Sequence, residues 1–86
     1  MDEIPDSSTR IEFYRFFDAV ITKYISKLPQ YGESWRNMTE GELRERVDKE
    51  YQEWENSACL SEEAKELIDV TVCAFLLYTR LMEKKE

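Results

Sequence analysis

The chain has 86 residues, of which 42% are apolar and 13% aromatic, and its formal net charge is −7. This length allows one small domain, spanning residues 1–86, and a core so modest that oligomerisation is expected. The negative charge argues against nucleic acid or an anionic membrane as a partner, because few phosphate counterions would be released. The sequence has no histidine and no CxxC pair, which excludes His general bases and ordinary zinc sites. No segment is typical of a signal peptide or a membrane span, so a cytoplasmic location is expected.

The first helix is predicted over residues 9–28. Thr9 and Glu12 have the spacing of a capping box at its start. Apolar side chains then recur at helical spacing as far as Leu28, and Pro29 is predicted to end the helix. The apolar stripe is wide enough for two contact surfaces, one with the rest of the domain and one with a partner subunit.

Residues 29–38, PQYGESWRNM, are predicted to form the only substantial loop. Its two large aromatic residues, Tyr31 and Trp35, have two interpretations. Both rings could pack over the end of the bundle, or one could belong to a lid that stacks on a nucleobase. Composition favours the first interpretation, because aromatic rings usually bury area.

The second helix is predicted over residues 40–57, with a capping box formed by Thr39 and Glu42. Its narrow apolar stripe consists of Leu43, Val47, Tyr51, Trp54 and Ala58. At about 100° per residue, Glu50 borders this stripe and Glu53 stands at the edge of solvent. A competing acidic pair, Glu42 and Glu45, projects further from the stripe and is expected to be solvated.

The third helix is predicted over residues 62–84, with Ser61 as its N-cap and acidic side chains in its first turn. Apolar side chains surround the helix over residues 70–78, which predicts several packed neighbours. Glu66 and Asp69 share one strip of this helix with Cys73, which is expected to be a small core residue.

Two pairs of acids therefore lie on neighbouring predicted helices. Glu50 and Glu53 share one face of the second helix, and Glu66 and Asp69 share one face of the third. If the pairs converge, their oxygens suit Mg²⁺ or Mn²⁺, which could clamp phosphates and activate water. Because 19 residues are acidic, about one or two such arrangements arise by chance. The alternative, that these acids face solvent or pair with nearby lysine and arginine, therefore stays open.

The same residues resemble a known signature. Glu50 and Glu53, followed after 12 residues by Glu66 and Asp69, resemble the ExxE…ExxD motif of the MazG-like all-α NTP pyrophosphohydrolases. The upstream segment YGESWR, residues 31–36, is similar to a YG-x-SW-R segment found in some MazG-like and phage nucleotide-metabolism proteins. The match extends over residues 27–81, roughly two thirds of the chain.

The resemblance implies an all-α, three-helix protomer whose bundle is completed by dimerisation or tetramerisation. It implies hydrolysis of nucleoside or deoxynucleoside triphosphates to a monophosphate and pyrophosphate, in the house-cleaning of non-standard nucleotides. Carried over by position, Glu50, Glu53, Glu66 and Asp69 would be catalytic and would hold Mg²⁺ or Mn²⁺. One of the glutamates would orient or deprotonate the attacking water.

The predicted substrate-binding residues are Trp35, Arg36, Arg46 and Lys49. Many relatives carry Asn three residues after the motif aspartate to contact the nucleotide, whereas this chain has Val72 there. The competing interpretation is a non-catalytic helical oligomerisation or protein-interaction module. That module predicts carboxylates that are splayed and solvated, or neutralised by lysine and arginine.

Overall fold

Three α-helices make up most of the molecule. The computed structural model describes residues 7–84, as helices α1 (Ser7–Tyr31), α2 (Glu40–Glu55) and α3 (Leu60–Glu83), with a short 3₁₀ helix at Ser34–Asn37 between α1 and α2. The part of the chain that the structure describes contains no β-strand. The helix α3 packs on both α1 and α2. The predicted all-α fold with three helices is therefore confirmed.

Helix α1 is longer at both ends than its predicted boundaries. It begins by Ser7, so Thr9 lies inside the helix, and the predicted N-cap at Thr9 is wrong. The predicted stop at Pro29 is also wrong, because Pro29 lies within the last turn. Proline there costs one backbone hydrogen bond. The helix ends instead at Gly32, which has a φ of 56° and donates its N–H to the Leu28 carbonyl over 2.8 Å.

The N-termini of α2 and α3 are capped differently. In α2 the predicted capping box is confirmed, since Glu42 N–H donates to Thr39 Oγ1 over 3.1 Å and Thr39 N–H donates to Glu42 Oε1 over 2.7 Å. In α3 the N-cap is Cys59 and not the predicted Ser61. The Glu62 carboxylate accepts a hydrogen bond from the Ala58 N–H over 2.9 Å, which satisfies a donor at that end.

The core is small. Its buried apolar side chains are Trp35, Leu43, Cys73 and Leu76. Leu43, from α2, is only 1% exposed and packs with Leu76 of α3 and with the Trp35 ring. The prediction that Cys73 is a core residue is confirmed, and burial raises the pKa of its thiol to about 11.

The segment between α1 and α2 is held against the bundle by side chains of α1 and α3. Trp35 Nε1 donates to the Tyr24 hydroxyl over 3.1 Å. The Arg80 guanidinium, on α3, donates to the main-chain carbonyls of Met38 and of Arg36, the latter over 2.8 Å. Packing of the aromatic ring over the bundle is thus confirmed for Trp35. It is wrong for Tyr31, whose side chain is 54% exposed.

Most of the exposed large apolar side chains lie on α1 and α3. On α1 they are Ile11, Phe13, Tyr14, Phe16, Phe17, Ile21 and Ile25, and on α3 they include Leu67, Phe75, Tyr78 and Met82. The predicted burial of α3 on all sides is therefore not met within one chain. Among residues 7–84, no helix is both long and apolar enough to cross a bilayer.

Candidate metal and phosphate site

Three of the four motif carboxylates converge. Glu50 and Glu53 from α2 and Glu66 from α3 each offer an oxygen, and these atoms all lie within 4.8 Å of one another. Residues 56–59 connect the two helices tightly, so the face of α2 near its end meets the face of α3 near its start. The three-residue spacing on α2 then directs both of its acids toward Glu66. We call Glu50, Glu53 and Glu66 the acidic cluster.

Two oxygens of the acidic cluster are buried without a partner. Within the described part of the chain, Glu50 Oε2 and Glu66 Oε2 are shielded from solvent and accept no hydrogen bond. Glu53 is exposed, as its position on the helix predicts. A buried carboxylate oxygen without a hydrogen bond is costly, and it is an unusual feature that calls for a physical cause. A bound cation would satisfy both oxygens at once.

The acidic cluster also changes the acidity of Glu50. Burial is the main cause that raises the pKa of Glu50 to about 7, and the neighbouring carboxylates of Glu53, Asp69 and Glu66 add to the rise. The charged form of Glu50 is disfavoured because it is desolvated among like charges. A divalent cation would reverse this balance. Three carboxylates form an all-oxygen donor set of the kind that Mg²⁺ and Mn²⁺ prefer.

Asp69, the fourth motif carboxylate, lies outside the acidic cluster. Its Oδ1 atom is 3.1 Å from Lys23 Nζ of α1, and the two side chains are only 16% and 24% exposed. The prediction that four acids converge is therefore met by three of them. Asp69 instead shows the lysine neutralisation that the competing interpretation anticipates.

Lys23 is not among the site residues predicted above, although the sequence contains a signal for it. Val20, Lys23, Tyr24 and Leu28 follow the i, i+3, i+4, i+8 spacing of one helix face, and these four side chains are all half-buried. A lysine inside such a stripe needs an acidic partner on the helix that it contacts. The many large apolar residues of α1 make its apolar stripe wide, and this narrower face is hard to recognise within it.

A cavity of about 560 Å³ lies next to the acidic cluster. Glu50 belongs to both, and Asp69 also lines the cavity wall. Four basic side chains line the same cavity, namely Lys23, Lys27, Arg46 and Lys49. Residues far apart in the sequence meet here because α1, α2 and α3 all contribute to the lining.

The predicted substrate-binding residues divide into two groups. Arg46 and Lys49 line the cavity, and so does Trp35, whose 6% exposure makes it a wall and not a free stacking surface. Arg36 is not among the lining residues. Its guanidinium lies 4.4 Å from the centre of the Trp35 ring, and its Nε is 3.1 Å from Glu33 Oε1. The Arg36 hydrogen bond accordingly lowers the pKa of Glu33.

Two further positions bear on the predicted site. Glu42 and Glu45 are exposed, as predicted, although both also contribute to the cavity wall. Val72 lines the cavity at the position where relatives of the resembled family carry Asn. An apolar side chain there cannot hydrogen-bond a nucleotide, so any recognition at this wall is by shape.

Comparison of the chain with protein-family models, with curated protein sequences and with solved structures finds no match. The resemblance to MazG-like proteins therefore depends on the motif residues alone and stays a prediction.

Proposed function

We propose that this chain is a Mg²⁺- or Mn²⁺-dependent nucleoside triphosphate pyrophosphohydrolase of the MazG-like type. The main support is the pair of buried, unpartnered oxygens of Glu50 and Glu66 within the three-carboxylate acidic cluster. A hard cation stabilises carboxylate oxygens that are buried without a hydrogen bond. The adjacent cavity has four basic and four acidic side chains in its wall, and the basic ones extend the proposal from a metal to a metal with a polyphosphate.

The cavity suits a nucleotide in size, and the basic side chains in its wall offer partners for phosphate. Its volume of about 560 Å³ falls within the range of about 300–1,000 Å³ that is common for small-molecule sites. Lys27, Arg46 and Lys49 attract phosphate oxygens in a protein whose overall charge is negative. Since Glu50 is shared by the acidic cluster and the cavity, it marks where the metal and the phosphates would meet.

The proposed reaction cleaves the bond between the α and β phosphates. A water oxygen bonds to the α phosphorus while the bond from that phosphorus to the bridging oxygen breaks, and pyrophosphate leaves with the electron pair. The bound cation supplies charge that stabilises the phosphate oxygens and acidifies water. The residues of the acidic cluster hold that cation, and one of the glutamates orients the water or accepts its proton.

The test is turnover of a panel of NTPs and dNTPs with Mg²⁺ or Mn²⁺, followed by ³¹P NMR. We expect equal amounts of monophosphate and pyrophosphate. Glu66→Gln keeps the shape of the side chain and removes its charge, and should lower the turnover rate by about 100-fold or more. Asp48→Asn, an exposed acid on α2 outside the acidic cluster, is the matched control and should stay near wild type. Absence of metal-dependent turnover by the wild type across the panel contradicts the proposal.

The second candidate is a non-catalytic interaction module. The Lys23–Asp69 ion pair supports it, because one motif acid is already neutralised. The two candidates differ in metal binding before any substrate is added. The module predicts that Mn²⁺ leaves the thermal unfolding temperature unchanged, whereas a metal site predicts an increase.

We also propose that a second copy of the chain covers the exposed apolar side chains of α1. Phe13 and Phe17 stack there with ring centres 5.9 Å apart and are 37% and 52% exposed. Contiguous apolar surface of this kind marks an interaction site. The core formed by residues 7–84 has only four buried apolar residues, and so small a core is usually supplemented by oligomerisation. A dimer or tetramer would complete the bundle.

A further inference from the structure

Lys23 is the basic residue that pairs with Asp69 beside the proposed metal site. Its Nζ atom contacts Asp69 Oδ1 at 3.1 Å, on the side of Asp69 that faces α1. Across residues 7–84, no other lysine or arginine forms an ion pair with Asp69 or with the acidic cluster. Lys23 therefore compensates a charge that would otherwise add to an already crowded set of carboxylates.

The position of Asp69 makes this pairing informative. Asp69 lies one turn from Glu66 on the same face of α3, so the helix itself directs both toward α2. Asp69 and Glu50 line the same cavity, so Asp69 lies beside the acidic cluster. Asp69 nevertheless points its Oδ1 atom at α1. The contact with Lys23 explains why Asp69 does not join the three acids of the acidic cluster.

Lys23 also borders the cavity that would receive phosphate. It lines that cavity together with Lys27, Arg46 and Lys49, and Asp69 is part of the same wall. A lysine has a long, flexible side chain with a compact charge, so its ammonium group can exchange one anion for another without movement of the backbone. Carboxylate and phosphate are thus both within the range of one side chain.

We infer that Lys23 is an exchangeable counter-ion that couples metal binding to phosphate binding. In the metal-free chain it occupies Asp69. When a divalent cation draws Asp69 toward the acidic cluster, the ammonium group is displaced into the cavity and binds a substrate phosphate. This inference depends on the proposed metal site. It adds a coupling that the motif does not contain, since Lys23 lies outside residues 27–81.

The proposed coupling predicts opposite changes in the affinity for metal and in the affinity for nucleotide when Lys23 loses its charge. Removal of the Lys23 charge removes a competitor for Asp69, and so should tighten metal binding. The same change removes a phosphate ligand, and so should weaken nucleotide binding. A purely structural ion pair predicts weaker binding of both metal and nucleotide, because its loss would loosen the contact between α1 and α3. Tighter metal binding is therefore the effect that distinguishes the two roles.

The experiment titrates Mn²⁺ into the full chain by calorimetry, without nucleotide. Lys23→Met should bind Mn²⁺ about ten-fold more tightly than wild type, within the usual range of coupling between sites. Lys27→Met is the matched control, since Lys27 lies one turn further along α1 and lines the same cavity without an ion pair to the acids. It should shift the affinity by less than about two-fold, as screened charges at a distance do. Equal shifts in the two variants would overturn the inference.

Binding of a non-hydrolysable triphosphate analogue at saturating Mn²⁺ is the second measurement. Lys23→Met should bind the analogue more weakly than wild type, and an unchanged affinity would overturn the inference. Lys23→Arg covers the case in which the methionine variant does not fold. Its bidentate guanidinium should hold Asp69 more firmly and weaken Mn²⁺ binding, and tighter binding would overturn the inference.

The inference and the proposed function fail differently. If the wild type binds Mn²⁺ and Lys23→Met behaves like Lys27→Met, the exchange role of Lys23 is wrong and the metal site stands. If neither wild type nor Lys23→Met binds Mn²⁺, the proposed metal site is wrong and the role of Lys23 fails with it.

Discussion

The pair formed by α2 and α3 differs from α1 in how its apolar surface is used. Leu43 and Leu76 meet between α2 and α3 and are almost completely buried. In α1, by contrast, Phe17, Ile21 and Ile25 are each more than half exposed. The first region is packed within the chain and holds the acidic cluster. The second region contacts the rest of the chain through one narrow face, and its larger apolar face has no partner among residues 7–84.

In a small protein, a helix with many apolar side chains is therefore not always a buried helix. Helix α1 has more large apolar residues than one chain can cover, since a domain of this size buries a limited part of its surface. The acidic cluster, on the other hand, needs only the two helices that are well packed. The acidic cluster and the proposed interface on α1 can therefore be perturbed separately, which the following predictions use.

The largest effect is expected at Leu43, the most buried residue between α2 and α3. Leu43→Ala removes its contacts with Leu76 and leaves a cavity, so the free energy of unfolding should fall by about 2–5 kcal/mol. Urea denaturation followed by circular dichroism measures the change. Leu60→Ala is the control, because that side chain is 83% exposed, and its effect should stay within about 0.5 kcal/mol. Comparable losses in both variants would contradict the assignment of Leu43 to the packed core.

The next effect concerns α1. Phe17→Glu places a charge on the exposed apolar face, so it should weaken self-association by at least about 2 kcal/mol, or roughly 30-fold in the dissociation constant. Sedimentation should then find monomers at concentrations where the wild type is associated, with the helical content retained. Thr22→Glu puts the same charge on an exposed polar position of α1 and should leave assembly intact. A monomeric wild type at micromolar concentration would contradict the proposed interface.

The pH dependence of metal binding should come third. Because burial raises the pKa of Glu50 to about 7, a divalent cation must displace its proton at lower pH. The affinity for Mn²⁺ should therefore fall by up to about ten-fold for each pH unit below 7. Calorimetry in buffers of different ionisation enthalpy counts the protons released. Glu50→Gln should bind Mn²⁺ more weakly and lose this dependence, and an unchanged slope would assign the proton to another group.

The same group affects the stability of the metal-free chain. In the unfolded chain the pKa of Glu50 lies near 4.5, and in the folded chain it rises to about 7. The folded state therefore holds a proton that the unfolded state has lost, and stability falls as the pH rises across that range. Glu50→Gln should raise the unfolding temperature at about pH 8 and have little effect at about pH 4. An equal increase at both values would indicate a packing effect.

The smallest effect is expected at the start of α2. Thr39→Ala removes the acceptor for the Glu42 N–H and one half of the capping box. The free energy of unfolding should fall by about 1 kcal/mol, as is usual for loss of an N-cap. Thermal unfolding measures it, with Thr39→Ser as the control that keeps the hydroxyl. No difference between the alanine and serine variants would show that water replaces the cap.

Local features of the fold could be predicted where one short segment determines them. The box of Thr39 and Glu42 needs only the spacing of two residues, and it is present in the structure. The end of α1 could not be placed in this way. Pro29 is an unfavourable residue inside a helix, yet the helix continues to the left-handed Gly32, whose N–H reaches the Leu28 carbonyl. Pro29 and Gly32 are both residues that can end a helix, and the sequence does not show which of them does so.

The candidate site was predictable in part for a related reason. Glu50, Glu53 and Glu66 lie on two helices joined by a short turn, so helical periodicity is almost sufficient to bring them together. Asp69 has the same periodicity as Glu66 and yet pairs with Lys23. That pairing depends on where α1 packs, across more than forty intervening residues. Periodicity within one helix carries no information about that contact.

The sequence by itself determined the three helices, the capping box of α2, the core position of Cys73 and the acidic pairs on adjoining helix faces. These follow from the spacing of residues along one helix or between two neighbours, where the geometry is nearly fixed. Only the tertiary structure decided that Lys23 neutralises Asp69, that Arg80 holds the segment around Trp35, and that basic residues of α1 and α2 share one cavity. Those contacts depend on how α1 docks on α3, because side chains far apart in the sequence meet only after the helices have packed.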